Sequence, residues 1–436
     1  MGDITCKFGG SSLADTACVR QAEAIIRGDS RRRFIVPSAP GKRTPDDKKI
    51  TDLLYAWHSL ARQGLDPSEP AEIIRQRFAE LASALGVRFA IESYLDEITQ
   101  KAGNDETPDY MASRGEFLNA HLLAELLDAT FVEPADCILF DDEGRLDPAT
   151  YDLLSPQLEG DGLFVVPGFY GALPDGRIRT FSRGGSDITG AIVARASKSE
   201  LYENWTDVSG FRMADPGIVK DARRMPEVTY KELRELSYMG AKVLHDEAIY
   251  PVLKPGIPIH IRNSKKPDEP GTLIVPQREA VHPVCGIAGS KGFSMINIEK
   301  TLMNRELGFG RRVLSILEEH GVSFEHMPTG IDTISLIVRD NELAHHGPSI
   351  IKSIERNCEP DRVTLVPSLA IIATVGQGMN HHIGVAGRLF TALAQAGVNI
   401  RVIDQGSSEL NIIIGVEDSD FEKAVHAIYK AFDTQE

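Results

Sequence analysis

At the start of the chain, Ile4, Cys6 and Phe8 alternate with Thr5 and Lys7, which predicts a short strand. Gly9 and Gly10 follow as a tight turn. Ser12, with Asp15 three residues on, reads as an approximate capping box opening a helix to about Gly28. Phe34 to Val36 predict the next strand, residues 41–49 a polar loop, and Thr51 the cap of a helix carrying Leu53, Leu54, Trp57 and Leu60. Helical patterns follow around 70–85 and 108–127, then strands at 137–140, 163–166 and 178–181. Strands alternating with helices predict an α/β/α layer arrangement, with the strand order left open. Thr229 and Glu232 form a second capping box, whose helix sets Leu233, Leu236, Gly240 and Val243 on one stripe. The Pro-, Lys- and Asp-rich loop 264–271 suggests the edge of this first domain, and strand material at 272–275 could still belong to it.

The last third repeats itself. Residues 309–338 and 385–414 match at an offset of 76, pairing Val313 with Leu389, Leu317 with Leu393, Gly321 with Gly397 and Val322 with Val398. Each copy reads helix, glycine turn, strand, turn, strand. Apolar strands precede them at 293–298 and 369–375, and helices fit 349–357 and 418–431. The pattern predicts a duplicated β-α-β-β-α-β unit, a small sheet with helices on one face.

A length of 436 residues exceeds what one core serves, so two to three domains are expected. The net charge of −16 argues against a nucleic-acid or anionic-membrane binder, though a local basic pocket can still take phosphates. Cysteines 6, 18, 137, 285 and 358 are scattered, as in a reduced protein without disulfides or structural zinc. No leader-like start and no apolar run of membrane-spanning length is seen, so a soluble, cytoplasmic protein is expected.

Four stretches could carry chemistry. Lys7 ahead of Gly9, Gly10, Ser11 and Ser12 suits an anion site at a strand end, with backbone N–H groups and an ammonium converging on phosphate. An ordinary strand-turn-helix with a solvent-facing lysine fits equally well, and the spacing is not that of a Walker motif. Arg183-Gly184-Gly185-Ser186-Asp187 precedes an apolar helix. Arg183 offers a fork for carboxylate or phosphate, and Asp187 could orient a lysine or cap the helix. Thr206 and Asp207 could bind a ribose or purine edge, or form a structural turn. Glu116, in Ser113-Arg114-Gly115-Glu116, could pair with a substrate ammonium or lie on the surface. The twelve histidines show no HExxH pattern, no metal ligands are assigned, and Met295, Met303 and Met327 read most simply as core fillers.

With these motifs in place, the chain resembles the aspartate kinase family. The resemblance rests on Lys7-Phe8-Gly9-Gly10-Ser11-Ser12, Ser38-Ala39-Pro40-Gly41-Lys42-Arg43, Arg183-Gly184-Gly185-Ser186-Asp187, Trp205-Thr206-Asp207-Val208, Gly240-Ala241-Lys242-Val243-Leu244-His245 and Gln405-Gly406-Ser407-Ser408-Glu409. It implies an amino acid kinase fold, a three-layer α/β/α sandwich, over residues 1–280, followed by two ferredoxin-like ACT domains. The first ACT domain would be an inserted unit at 292–366, and the second would combine 282–288 with 369–434. It further implies a monofunctional enzyme that phosphorylates the side-chain carboxylate of L-aspartate with ATP and Mg²⁺, giving 4-phospho-L-aspartate and ADP.

By the same resemblance Lys7 and Asp187 are catalytic. Ser38, Thr51, Glu116, Arg183, Gly184 and Ser186 lie at the substrate, and Gly9, Gly10, Ser11, Thr206, Asp207, Arg212 and Lys242 at the nucleotide. Met303, Ser323 and Glu325 would line an effector pocket, for lysine in preference to threonine, in a homodimer or dimer of dimers. The chain departs from the family pattern at Ser11, at Arg212 where tyrosine is common, at Gly217 where arginine is usual, and at Asp246 where proline is common. A glutamate-, carbamate- or nucleotide-directed kinase is one alternative, and a non-catalytic or weakly catalytic amino-acid sensor is another.

Overall fold

The computed structural model describes residues 2–103, 107–182, 184–241, 244 and 246–433. They fall into two compact units. One comprises Met1–Phe211, Pro226–Tyr230 and Lys242–Arg278; the other Arg212–Met225, Lys231–Ala241 and Glu279–Glu436. Residues 212–225 and 231–241 thus cluster with the C-terminal part of the chain.

The first unit is built from β1 (Ile4–Phe8), β2 (Arg32–Pro37), β3 (Thr130–Phe131), β4 (Phe164–Val165), β5 (Tyr170–Ala172), β6 (Ile178–Thr180), β7 (Leu201–Thr206), β8 (Glu227–Thr229), β9 (Ile259–Asn263) and β10 (Thr272–Val275). Eight of these form one sheet in the order β3-β4-β2-β1-β7-β9-β10-β8, parallel except for β9 with β10, while β5 and β6 make a separate hairpin. Its helices are α1 (Thr16–Arg27), α2 (Ile50–Arg62), α3 (Ser68–Leu85), α4 (Ile91–Gly103), α5 (Pro108–Leu127), α6 (Thr150–Gln157), α7 (Gly185–Ala196) and α9 (Tyr250–Leu253), with α8 (Tyr230–Tyr238) beginning at its edge.

The alternation in β1 separates the two helical layers. Ile4, Cys6 and Phe8 join one core with residues of α1, α3 and α5. Thr5 and Lys7 face the other side, where Thr5 bonds Ser199 at 2.8 Å and Lys7 meets α7. The face bearing Cys6 also holds a buried charge network on β7. Glu203, 2 % exposed, takes Arg32 at 2.8 Å, Arg262 at 3.2 Å and the Trp205 indole N–H at 2.9 Å. Burial pushes its carboxyl up, but the two guanidinium groups outweigh this and hold it below its ordinary value.

Several local expectations shift. The cap of α1 is Asp15, which accepts from the Cys18 N–H at 2.8 Å; Ser12 instead sits in a short 3₁₀ turn, buried against Ser264 at 2.7 Å. Helix α2 starts at Ile50 with Lys49 before it, so Thr51 lies inside the first turn and is not the cap. The expected strand at 137–140 survives only as isolated bridges at Leu139 and Phe140, and the strand at 178–181 belongs to the hairpin. The loop 264–271 joins two paired strands within the unit and does not end it. Helix α8 stops at Tyr238, leaving Gly240 beyond it at φ +116°, while Val243 lies outside the described residues.

The second unit is a five-stranded sheet in the order β12-β11-β13-β15-β14, from β11 (Gly286–Glu299), β12 (Thr333–Arg339), β13 (Arg362–Val375), β14 (Val402–Asp404) and β15 (Asn411–Glu417). Two long strands serve both copies of the repeat. Residues 286–291 of β11 pair with 370–375 of β13, Phe293 pairs with Leu369, and 295–299 pair with 362–366, while 293–299 also pair with β12. The register breaks between them, where Gly292 takes φ +90°. Helices α10 (Phe309–Glu319) and α11 (Asp340–Cys358) cover one half, α12 (Val385–Gln395) and α13 (Phe421–Phe432) the other.

Helices α10 and α12 start 76 residues apart, and the paired positions Val313/Leu389, Leu317/Leu393 and Val322/Val398 are all buried. Gly321 and Gly397 end the helical segments at φ +64° and +65°. In the first copy the strand expected after the turn is reduced to bridges at His326 and Thr329, because Pro328 between them has no N–H for the ladder. Residues 212–225 contribute Met213, Ala214, Val219 and Ala222 to the second copy's core.

Candidate active site

The carboxyl ends of β1, β2 and β7 converge with the start of α7, the usual location of ligand crevices in open parallel sheets. Lys7, 8 % exposed, is the fourth residue of β1, and its ammonium meets Asp187 Oδ1 at 2.6 Å. Asp187 stands in the first turn of α7, where a carboxylate suits the helix dipole. Asn204, aligned with Lys7 on the neighbouring strand, donates to the same Oδ1 at 2.8 Å. The Tyr202 hydroxyl donates to the Asp187 carbonyl at 3.0 Å, and Gly190 leaves room for its ring. Lys7 is therefore held, through Asp187, by two further side chains of β7.

Above this cluster lie two crossing loops. Gly9 donates to the Trp205 carbonyl at 3.0 Å, and Gly41 to the Gly10 carbonyl at 2.8 Å. A Cβ on Gly41 would come within 2.6 Å of the Gly10 carbonyl, so both residues must be small. Ser11 is half-buried in the same turn. Ser38, also half-buried, is fixed at the end of β2 by its N–H to Phe8 O at 3.0 Å and by Asn119 Nδ2 on its carbonyl at 2.7 Å. Arg77, 2 % exposed, donates to the Gly41 carbonyl and pairs with Asp47 at 3.1 Å.

Glu116 approaches the Ser38–Gly41 loop from α5. Gly115 beside it lets the helix lie close, since a Cβ there would be 2.9 Å from the Ala39 Cβ. Glu116 is 6 % exposed, and its Oε2 is buried without a hydrogen-bond partner. Burial pushes its carboxyl up to about 8, with the Ala39 N–H only partly offsetting this. Thr51 is half-buried in the first turn of α2, Gly184 takes φ +59° before α7, and Ser186 packs against Gly168. Thr206 and Asp207 follow one another at the end of β7, with their side-chain oxygens 3.3 Å apart.

Arg183 and Lys242 fall outside the described residues. Arg212 belongs to the second unit, where it donates to the Ala222 carbonyl at 2.8 Å. Met303 is buried in the core of the first repeat copy. Ser323 is exposed, with its N–H on Glu342 at 2.8 Å, and Glu325 pairs with Arg339 at 2.6 Å. Sequence reasoning missed Asn204, Asn119 and Arg77. The alignment of β7 with β1 is the signal that could have found Asn204.

No group of three His, Cys, Asp or Glu side chains suited to a metal occurs among the described residues. The site suits a metal carried in by phosphates, with Asp187 the carboxylate beside Lys7. No described helix is long and apolar enough to cross a membrane.

The sequence matches the model of the amino acid kinase family over residues 4–263 and that of an ACT domain over 372–432. It is 42% identical to aspartokinase 3 of Bacillus subtilis (strain 168), over 98% of both chains. The chain belongs to the aspartate kinase family. As a member it is an ATP-dependent kinase. Among solved structures, Clostridium acetobutylicum aspartate kinase matches at 48% identity with a TM-score of 0.92, covering 99% of this chain and 100% of that one. E. coli aspartokinase III matches at 28% identity over the same shares. Its complex with aspartate and ADP gives a TM-score of 0.78, and its complex with lysine and aspartate 0.77.

Proposed function

We propose that the enzyme transfers the γ-phosphoryl group of ATP to the side-chain carboxylate of L-aspartate, giving 4-phospho-L-aspartate and ADP. The observation that carries this reading is the held Lys7–Asp187 pair beneath the Gly9–Gly10 turn, with the unpartnered Glu116 carboxyl on the adjoining loop. The acceptor carboxylate is already ionised near neutral pH, so no strong general base is required. Alignment and charge neutralisation among anions are the main demands.

Lys7 sits on the transferring phosphoryl oxygens. Asp187 and Asn204 fix its ammonium, and the start of α7 with the Gly9–Ser11 turn supplies N–H groups to the phosphates. Glu116 receives the aspartate ammonium and Arg183 a carboxylate, with Ser38, Thr51, Gly184 and Ser186 beside them. Thr206, Asp207 and Lys242 lie on the nucleotide side, and Arg212 supplies charge from its own segment. Mg²⁺ bound to the phosphates of ATP would supply charge neutralisation there.

Residues 1–280 are the catalytic domain, 292–366 the first ACT domain, and 282–288 with 369–434 the second. Their effector is L-lysine, with threonine the alternative. Relief of the Glu325–Arg339 pair frees a carboxylate for its ammonium, near Met303 and Ser323. The enzyme is a cytoplasmic homodimer or dimer of dimers. Leu307 and Ile383, 76 residues apart, are 96% and 106% exposed ahead of α10 and α12, which is apolar surface suited to a second copy.

The test is ADP release from Mg·ATP with L-aspartate, L-glutamate or no acceptor, each with and without lysine. Aspartate-dependent release supports the reading, and its suppression by lysine supports the effector. Release equal to the blank despite ATP binding refutes catalysis.

A further inference from the structure

The segment Ser113–Glu116 carries two charged side chains, and the proposed reaction uses only Glu116. Two residues apart on a helix, they point to nearly opposite sides. Arg114 is 4% exposed. Its Nε and Nη2 donate to Ser113 Oγ at 3.1 and 2.9 Å, and the rings of Phe117, Tyr110 and Tyr170 surround it at 4.3, 4.5 and 5.3 Å. None of these contacts brings an opposite charge to offset the burial of the guanidinium.

Arg114 lines a cavity of about 400 Å³, with α4, α5, the Glu133–Ala135 turn and the loop of the β5–β6 hairpin as walls. The other cations there already have carboxylates: Lys101 holds Glu97 at 3.0 Å and Arg177 holds Asp175 at 2.6 Å. That leaves Arg114 and Glu133. Glu133 is half-buried, accepts the Ala135 N–H at 3.2 Å, and forms no ion pair with Arg114 among the described residues. Among the described residues, one guanidinium without an ion-pair partner and one carboxylate thus line a space large enough for a small organic molecule.

We propose that this cavity binds a free α-amino acid, its carboxylate on Arg114 and its ammonium toward Glu133. The site is separate from the Lys7 cluster. Two charge-assisted contacts, with aromatic walls for an apolar side chain, suit a zwitterion better than a simple anion, which would face Glu97, Glu133 and Asp175 with no positive group of its own.

The test is calorimetric titration of the full-length enzyme with each L-amino acid to about 20 mM, with acetate and ethylamine as single-charge probes. Glu116→Gln, Glu325→Gln, Glu133→Gln and Arg114→Met are titrated in parallel. The proposal expects at least one amino acid whose binding survives the first two changes and weakens about tenfold or more in each of the last two, with both single-charge probes weaker. Glu133→Gln keeps an acceptor for Ala135 and decides the matter alone if Arg114→Met does not fold. If every binding event is indifferent to Glu133 and Arg114, or acetate binds as well as the best amino acid, the proposal is overturned. Loss of aspartate binding in Glu116→Gln bears on the catalytic reading and leaves this site intact.

Discussion

Glu116→Gln should make the protein more stable and a poorer enzyme, with both effects growing as pH rises. Glu116 is buried with one oxygen unpartnered, and its carboxyl is raised from 4.5 to about 8. Because the folded-state value is raised, this carboxyl's stability contribution is fully present below pH 4.5 and lost as pH climbs through about 8. At 1.36 kcal/mol per pH unit, that interval amounts to about 5 kcal/mol. Glutamine cannot ionise, so the variant should unfold at similar denaturant to the wild type at pH 5 and at clearly higher denaturant at pH 8.5.

Binding is expected to move the opposite way. If the ionised carboxylate receives the substrate ammonium, the wild-type KM for aspartate should fall about eightfold between pH 7 and 8.5, as the ionised fraction rises from about 9% to about 76%. In the variant KM should be high and flat with pH. Denaturation curves at the two pH values and initial rates against aspartate check both halves. A variant with no added stability at pH 8.5 refutes the buried-acid account, and an unchanged KM with the wild-type pH profile refutes the ammonium role.

Three other expectations follow from the same geometry. Arg32→Met leaves Glu203 buried with a weakened counter-charge and should lower the unfolding free energy of the first unit by about 3–5 kcal/mol in urea titration; a loss below about 1 kcal/mol would contradict the network. Gly41→Ala pushes a methyl toward the Gly10 carbonyl and should raise KM for ATP about tenfold while circular dichroism stays unchanged; an unaltered KM would remove this crossing from the phosphate site. If the proposed dimer uses this apolar surface, Leu307→Asp combined with Ile383→Asp should shift sedimentation toward monomer, and a dimer of undiminished affinity would place the interface elsewhere.

The fold was legible where a local pattern repeats. Alternation in β1 set Lys7 apart from the core, and the stretches matched at the 76-residue offset begin where helices α10 and α12 begin. Caps were less secure, because Ser12 and Thr51 have the right side chains while the backbone begins each helix elsewhere. The site was read through its glycines and charges, and Asn204 escaped because nothing local marks it. Its role follows from β7 lying beside β1 in register, a pairing nearly two hundred residues apart in sequence. The raised carboxyl of Glu116 depends on burial beneath the Ala39 loop, which no spacing reveals. Clustering of 212–225 with the C-terminal sheet likewise rests on long-range apolar contacts of Met213 and Val219.

Product trapping tests the central claim most directly. An acyl phosphate reacts with hydroxylamine to give a hydroxamate, whereas free phosphate does not. Enzyme, Mg·ATP, L-aspartate and hydroxylamine should together yield aspartyl hydroxamate in step with ADP. Lys7→Met, folded by circular dichroism, should lower that yield about 10²–10³-fold. ADP without hydroxamate, or an undiminished yield from Lys7→Met, would contradict the account.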